Sequence, residues 1–289
     1  MKTSEIGKNA ALLSLIEVGL GSLLHGMKIP LSGHFLSLNQ GLILTRATLK
    51  SGEPRDAAII STTAALLKSL SPAGKKLTPM LAIAMQGQLY YLGLVLFGAN
   101  ILGMLFGMTL LCLWGFLQPL AVYYLLYGET LITVIDGLMK DWSQWIPLSW
   151  QGLLWLTIGV VTLKIILGFL VVVIAHRLTE AQIERIELWA RKQKQSQTKL
   201  ALSPIKGALK DLSTPLFIFS WLLTLTFYFL ANSEHAVSVW FLLRPLAVGF
   251  IFFYLARRIP VSWIQDKLKK RYPVLADTLS EALMWIQKN

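Results

Sequence analysis

Residues 152–175 read GLLWLTIGVVTLKIILGFLVVVIA, and this run decides the class of the fold. It is long enough to cross a bilayer as one helix, and Lys164 near its centre is its single charged residue. Over the whole chain, 55% of residues are hydrophobic and 15% are charged, whereas a soluble domain usually carries about a quarter charged residues. One water-soluble core cannot hide so much apolar surface, so the sequence predicts an integral membrane protein.

Further apolar segments occur on both sides of this run. A spanning helix needs roughly 20 mostly apolar residues, and most of the segments reach or approach that length. The complete set lies at 10–25, 29–48, 57–70, 77–98, 101–127, 152–175, 215–231 and 237–255. Together they predict an all-α, polytopic membrane helix bundle of about eight transmembrane helices.

The net charge of +12 is concentrated in two stretches that adjoin apolar segments. Residues 177–210 hold eight Lys/Arg and three Glu, and residues 257–288 hold seven Lys/Arg and three acidic residues. Under the positive-inside rule both stretches are cytoplasmic, so we expect both termini on the cytoplasmic side of an inner or plasma membrane. Membrane lipid is then the expected partner, and nucleic acid is not. Lys68, Lys75 and Lys76 oppose this orientation, because they fall in a loop that it places outside.

The apolar and basic stretches divide the chain into four parts. Residues 1–176 form a predicted six-helix membrane unit that binds substrate, and residues 213–256 a transmembrane hairpin. Between them, residues 177–212 form a basic cytoplasmic linker, in which Thr179 and Gln182 have the spacing of a helix capping box. Residues 257–289 form a basic amphipathic tail. We expect the tail to lie on the inner leaflet, and docking of a partner is the alternative.

Sequence signatures of catalysis are absent. The chain has no GxxxxGK[ST], HExxH or GxSxG motif, its four histidines are scattered, and it has one cysteine, Cys112. The sequence therefore predicts no catalytic residue, no metal site and no cofactor, and it disfavours an enzyme.

Three ionisable residues fall inside predicted spanning segments, where charge is costly and usually faces protein or water. They are Glu17 in the first segment, Lys164 in the sixth and Arg244 in the eighth. A Glu17–Lys164 pair would cancel charge near the midplane of the bilayer. The structural interpretation is an ion pair or snorkelling of the side chain to the membrane surface, and the functional one is a substrate or coupling site.

A second group of polar residues lies toward the predicted outer side. Amides, tyrosines and histidines in apolar surroundings offer oriented hydrogen bonds and flat surfaces, as ligand pockets do. As a set they predict a small-molecule site, although each residue alone more often forms an interhelical hydrogen bond. The candidate substrate-binding residues are His25, Lys28, His34, Asn39, Gln40, Gln86, Tyr90 and Tyr123.

Several features follow one another in a recognisable order over residues 10–175. The first helix carries small residues, the segment KIPLSGH (28–34) precedes a polar-tinged second helix, and LTPMLAIAMQG (77–87) opens a hairpin broken at Gly98 and Asn100. This order resembles the substrate-binding S components of energy-coupling factor (ECF) vitamin transporters. The hairpin 213–256, the linker and the tail are additions to a minimal S component, and Glu17 is unusual for its first helix.

The resemblance implies capture of a vitamin or its precursor from outside the cell. It implies that residues 29–34 form a lid over the substrate. It further implies that Ala10, Ser14 and Ser22 form a coupling face for a separate transmembrane subunit that two ATPases drive.

Two other classes of protein remain open. A membrane-embedded enzyme acting on a lipid would use Glu17, His25, His34 or Arg244. A scaffold or assembly protein would hold cytoplasmic partners through the basic linker and tail.

Overall fold

The computed structural model describes residues 2–26, 32–69, 77–128, 150–194 and 261–288, together with scattered positions between 205 and 254. All the regular elements among these residues are helices, which confirms the all-α prediction. We number the helices in chain order: α1 Thr3–Gly26, α2 Ser32–Ser51, α3 Pro54–Ser69, α4 Leu77–Phe97, α5 Ile101–Tyr127, α6 Trp150–Arg177, α7 Glu180–Lys194, α8 Val261–Arg271 and α9 Pro273–Lys288.

Three of the described helices are long and apolar enough to cross a membrane, namely Thr78–Phe97 of α4, Ile101–Leu125 of α5 and Gln151–Arg177 of α6. They expose large apolar side chains, including Leu102 and Trp155, as lipid-facing helices do. This supports a membrane-embedded protein. The count of about eight spanning helices is not confirmed. The predicted segments 215–231 and 237–255 lie outside the described residues except for scattered positions.

The chain divides into two compact units. The first comprises residues 1–115, 163–201 and 259–289, and the second comprises residues 116–162 and 202–258. This division differs from the four parts predicted from the sequence, because the C-terminal tail belongs to the same unit as α1–α4.

Helix α1 is the centre of the first unit and contacts α2, α3, α7 and α9. Helix α9 buries Thr278, Leu279 and Ala282 completely. A Cβ atom on Gly7 would lie 2.7 Å from Cβ of Glu281, so the backbones of α1 and α9 approach closely. The expected position on the inner leaflet therefore does not describe α9, because its apolar face packs on α1. An amphipathic pattern is the same whether protein or lipid covers it.

The turn between α4 and α5 follows directly from its residues. Gly98 has a φ of 84°, in the left-handed region that favours glycine. Asn100 then caps α5, since its Oδ1 accepts hydrogen bonds from the backbone N–H groups of Leu102 (2.9 Å) and Gly103 (3.1 Å). Its Nδ2 donates to the carbonyl of Phe97 at 2.7 Å. The predicted break at Gly98 and Asn100 is confirmed.

Two ion pairs tie the ends of helices together in the first unit. Arg46 of α2 donates to Glu180 Oε1 at 2.9 Å and to the carbonyl of Ala175 at 3.3 Å, and so holds the junction of α6 and α7. Lys50 Nζ lies 2.6 Å from Glu5 Oε1, and this ion pair joins the end of α2 to the first turn of α1. We refer to this part of the unit as the charged end.

The capping box at the start of α7 is also confirmed. Gln182 Oε1 accepts a hydrogen bond from the backbone N–H of Thr179 at 3.0 Å. The helix then turns Ile183 and Ile186 toward α1 and α2.

The Glu5–Lys50 pair predicts a small pH dependence of stability. The hydrogen bond from Lys50 lowers the pKa of Glu5 below its ordinary 4.5, and the same bond raises the pKa of Lys50. A lowered carboxyl pKa stabilises the fold above the unfolded pKa, and this contribution is lost as pH falls through the folded pKa. Both side chains are substantially exposed, so we expect Glu5→Gln to cost less than about 1 kcal/mol.

The measurement is thermal unfolding of wild type and Glu5→Gln in detergent over a range of pH. The Tm difference should be present at pH 7 and should vanish well below pH 4.5. A difference that persists at low pH would show that the carboxylate charge is not its source.

Candidate functional site

The strongest candidate site in the first unit is formed around the amine of Lys164 on α6. The residue is 5% exposed, and its Nζ donates to the carbonyl of Cys112 on α5 at 3.1 Å. One turn further along α5 stands Gly115, where a Cβ atom would collide with Lys164 Nζ and lie 3.4 Å from His34 Nδ1. The missing side chain of Gly115 therefore leaves a notch that the amine occupies and that the imidazole borders. We call this arrangement the Lys164 notch.

Helices α2, α5 and α6 form the notch, because they carry His34, Gly115 and Lys164. Along α6, Lys164 lies 11 residues before Ala175, a distance of about 16 Å. The carbonyl of Ala175 accepts a hydrogen bond from Arg46 at the charged end. In a helix that crosses a hydrocarbon layer about 30 Å thick, this distance corresponds to the middle of the layer. An ammonium and an imidazole at this depth can hold an anionic group such as a carboxylate, and the imidazole can accept or release a proton.

Glu17 is not placed beside Lys164, so the hypothesis of a Glu17–Lys164 pair is wrong. Lys68, at the end of α3, instead donates to the main-chain carbonyl of Glu17 at 2.8 Å, and its charge acts on the Glu17 carboxyl. Glu17 is 4% exposed and Lys68 is 6% exposed. This burial also accounts for the poor fit of Lys68 to the charge rule, because its amine turns into the unit instead of lying in a loop.

Two of the predicted substrate-binding residues connect helices. Gln40 Nε2 donates to Ser61 Oγ at 3.1 Å and to the carbonyl of Ile83 at 2.8 Å, which joins α2 to α3 and α4. The hydroxyl groups of Tyr90 and Thr45 lie 2.9 Å apart and join α4 to α2. Gln40 and Tyr90 are fully buried and Gln86 is 5% exposed. For Gln40 and Tyr90 the interhelical hydrogen bond is therefore the better interpretation.

The remaining predicted residues are distributed over different places. Asn39 lines a separate cleft at the charged end, and Tyr123 is 43% exposed in the second unit. Lys28 and Arg244 lie outside the described residues, as do the side chains of His25 and Ser22. Of the predicted substrate set, His34 is the residue that the structure brings to Lys164.

The predicted coupling face is covered within the chain. Ala10 is fully buried and Ser14 is 4% exposed, in the part of α1 that packs against other helices of the first unit. Small residues allow this close packing of helices, as the sequence pattern indicates, and their neighbours here belong to the same chain.

The cleft at the charged end was not expected from the sequence. Its volume is about 90 Å³, and α1, α2 and α7 line it. On α2, Asn39, Arg46 and Lys50 recur at spacings of seven and four residues, so they share one helix face. That spacing is the sequence feature from which the cleft could have been predicted. The sequence around Gly115 has no comparable feature, because the notch forms only where a neighbouring helix packs against this glycine.

Among the described residues, no three His, Cys, Asp or Glu side chains lie together as a metal site requires. No protein-family model, no curated protein and no solved structure matches this chain.

Proposed function

We propose that this chain is a membrane transport protein, the substrate-capture subunit for uptake of a small molecule such as a vitamin or its precursor. Separate energy-coupling ATPase subunits would drive it, because the sequence has no phosphate-binding loop of its own. The observation that carries the proposal is the Lys164 notch. The resemblance of residues 10–175 to S components points the same way.

The physical argument starts from the cost of charge in a membrane. An ammonium at bilayer depth is costly, and such groups face the protein interior or water and mark ion or substrate pathways. Lys164 faces inward, with a carbonyl and an imidazole around it and a glycine whose missing side chain makes room for the amine. A site of this kind selects a ligand with an anionic or strongly hydrogen-bonding group.

Lys164→Met tests the role of the amine in binding. Methionine has a similar length, and it removes the cost of keeping an ammonium out of water, which offsets the lost hydrogen bond to the Cys112 carbonyl. We expect the variant to fold but to lose about ten-fold or more in ligand affinity or uptake, the value of a charge-assisted hydrogen bond. Lys269→Met, on the exposed surface of α8, is the matched control and should behave as wild type.

Native mass spectrometry of the gently purified protein supplies the ligand and the partners in one measurement. We expect a bound small molecule on wild type, its loss on Lys164→Met, and co-purification of an ATPase. If Lys164→Met has the same uptake and the same ligand content as wild type, the Lys164 notch is not the ligand-binding site. A preparation with neither a bound small molecule nor an ATPase would contradict the capture role as a whole.

A further inference from the structure

We infer that the cleft at the charged end binds the phosphate group of an anionic phospholipid. This site is distinct from the Lys164 notch and does not depend on the transport proposal. The cleft combines cationic side chains, amides and an apolar wall. The charged rim and amides are Glu5, Lys8, Asn9, Asn39, Arg46, Lys50 and Glu180.

The charges of the cleft match a phosphodiester. Among the described residues that line the cleft, three cations face two carboxylates, which leaves one positive charge in excess. The Lys50–Glu5 and Arg46–Glu180 pairs fix two of the cations in place. The net charge of the rim therefore complements a phosphodiester, which carries one negative charge.

An amide donor points to a ligand independently of the charges. Asn39 Nδ2 is buried and has no hydrogen-bond acceptor among the described residues. A buried donor without an acceptor costs about 1–3 kcal/mol, and a phosphate oxygen in the cleft would supply the acceptor. The cleft volume of about 90 Å³ equals that of about three water molecules and is sufficient for a tetrahedral phosphate.

The apolar wall favours a lipid over free phosphate as the occupant. Leu12, Leu42, Ile43, Leu178 and Ile183 adjoin the charged rim, so one ligand with a phosphate and an acyl portion can satisfy both. The cleft lies at the end of the unit that the charge distribution predicts to be cytoplasmic. Basic pockets between helices on that side suit anionic lipid headgroups.

Two variants and one control test the site in the full chain. Lys8→Gln removes a cleft cation, and Asn39→Leu removes the buried donor. Lys2→Gln is the matched control, because it removes the same charge from the same end of the chain at a residue that does not line the cleft. The proteins are reconstituted in nanodiscs of phosphatidylcholine with a minor fraction of phosphatidylglycerol. Native mass spectrometry after release then counts the phosphatidylglycerol that each protein retains.

We expect wild type and Lys2→Gln to retain phosphatidylglycerol about equally. Lys8→Gln should retain about five-fold less, the value of one basic side chain near an anionic lipid. Asn39→Leu should also retain less while its Tm stays the same or rises, because it removes a donor that has no acceptor in the part of the protein that the structure describes. A purely structural Asn39 would instead lower Tm when replaced.

Three outcomes would overturn the inference. Equal retention by wild type, Lys8→Gln and Asn39→Leu would mean that the cleft holds no lipid. Equal losses from Lys2→Gln and Lys8→Gln would indicate diffuse surface attraction. Displacement of the lipid by millimolar inorganic phosphate, with the same rise in Tm as phosphatidylglycerol gives, would assign the cleft to free phosphate.

Discussion

Gly107→Leu is expected to abolish recovery of folded protein. A Cβ atom at this position of α5 would lie 2.6 Å from the carbonyl oxygen of Tyr90 and 3.2 Å from its Cα. These are backbone atoms of α4, which cannot move aside as a flexible side chain can. Facing Gly107 is Gly93, where a Cβ would collide with the Gly107 backbone. The α4–α5 hairpin is therefore packed backbone against backbone.

The loss of folded protein should be large because the hydrophobic effect does not drive helices together in lipid. Helix association in a bilayer depends on van der Waals contact, and small residues are what permit it. Overpacking usually costs about 1–3 kcal/mol, and separating two backbones should exceed that range. Monodisperse yield and Tm in detergent measure the effect, and Gly107→Ala should fall between wild type and Gly107→Leu.

Gly159→Leu on α6 is the matched control. Among the described residues, no atom of a neighbouring element lies within 4 Å of a Cβ built at Gly159, and the position is exposed. Leucine also has the higher helix propensity, so Tm should stay the same or rise. Similar Tm values for Gly107→Leu and Gly159→Leu would contradict the close packing of α4 and α5.

The sequence predicted α4, α5 and α6 to within a few residues. The apolar segments 77–98, 101–127 and 152–175 became Leu77–Phe97, Ile101–Tyr127 and Trp150–Arg177. An apolar run of this length must satisfy its backbone hydrogen bonds within itself, which fixes it as a helix. The break between the first two runs was equally predictable, because Gly98 adopts the left-handed conformation and Asn100 caps the next helix.

The ends of α1 were less predictable. The apolar segment 10–25 corresponds to Thr3–Gly26, which begins in polar residues. Those added turns rest on tertiary contacts, with Gly7 against α9 and Glu5 paired with Lys50. Hydropathy alone does not report such contacts.

The partners of buried charges could not be obtained from the sequence at all. Glu17 and Lys164 have opposite charges at similar predicted depth, which is why pairing them was reasonable. Depth does not fix the rotation of a helix, and the structure directs Lys68 to Glu17 and Lys164 to Cys112 and His34. The candidate site thus shifted from a broad set of polar residues to a notch whose key member is a glycine.

Lys68→Met should destabilise the first unit by about 1.5–3 kcal/mol, the usual value of a buried hydrogen bond from a charged donor. It removes the cation that acts on the buried Glu17 carboxyl and the donor to the Glu17 carbonyl. Glu17→Gln should also destabilise, since it leaves the Lys68 ammonium without that carboxylate. Reversible unfolding in detergent measures both changes. Lys50→Met, which breaks the exposed pair with Glu5, is the control and should cost less than about 1 kcal/mol.

The double variant Glu17→Gln/Lys68→Met separates the charge pair from the carbonyl hydrogen bond. If the charges act on each other, the double variant should recover most of the lost stability. Its loss of unfolding free energy should then be smaller than the sum of the two single losses by about 2 kcal/mol or more. Additive losses would mean that Lys68 stabilises α1 only through the Glu17 carbonyl. A stable double variant also permits a test of the proposed transport function. Retained uptake would assign the two residues to the fold, whereas lost uptake would assign them, with the Lys164 notch, to the proposed path of the substrate.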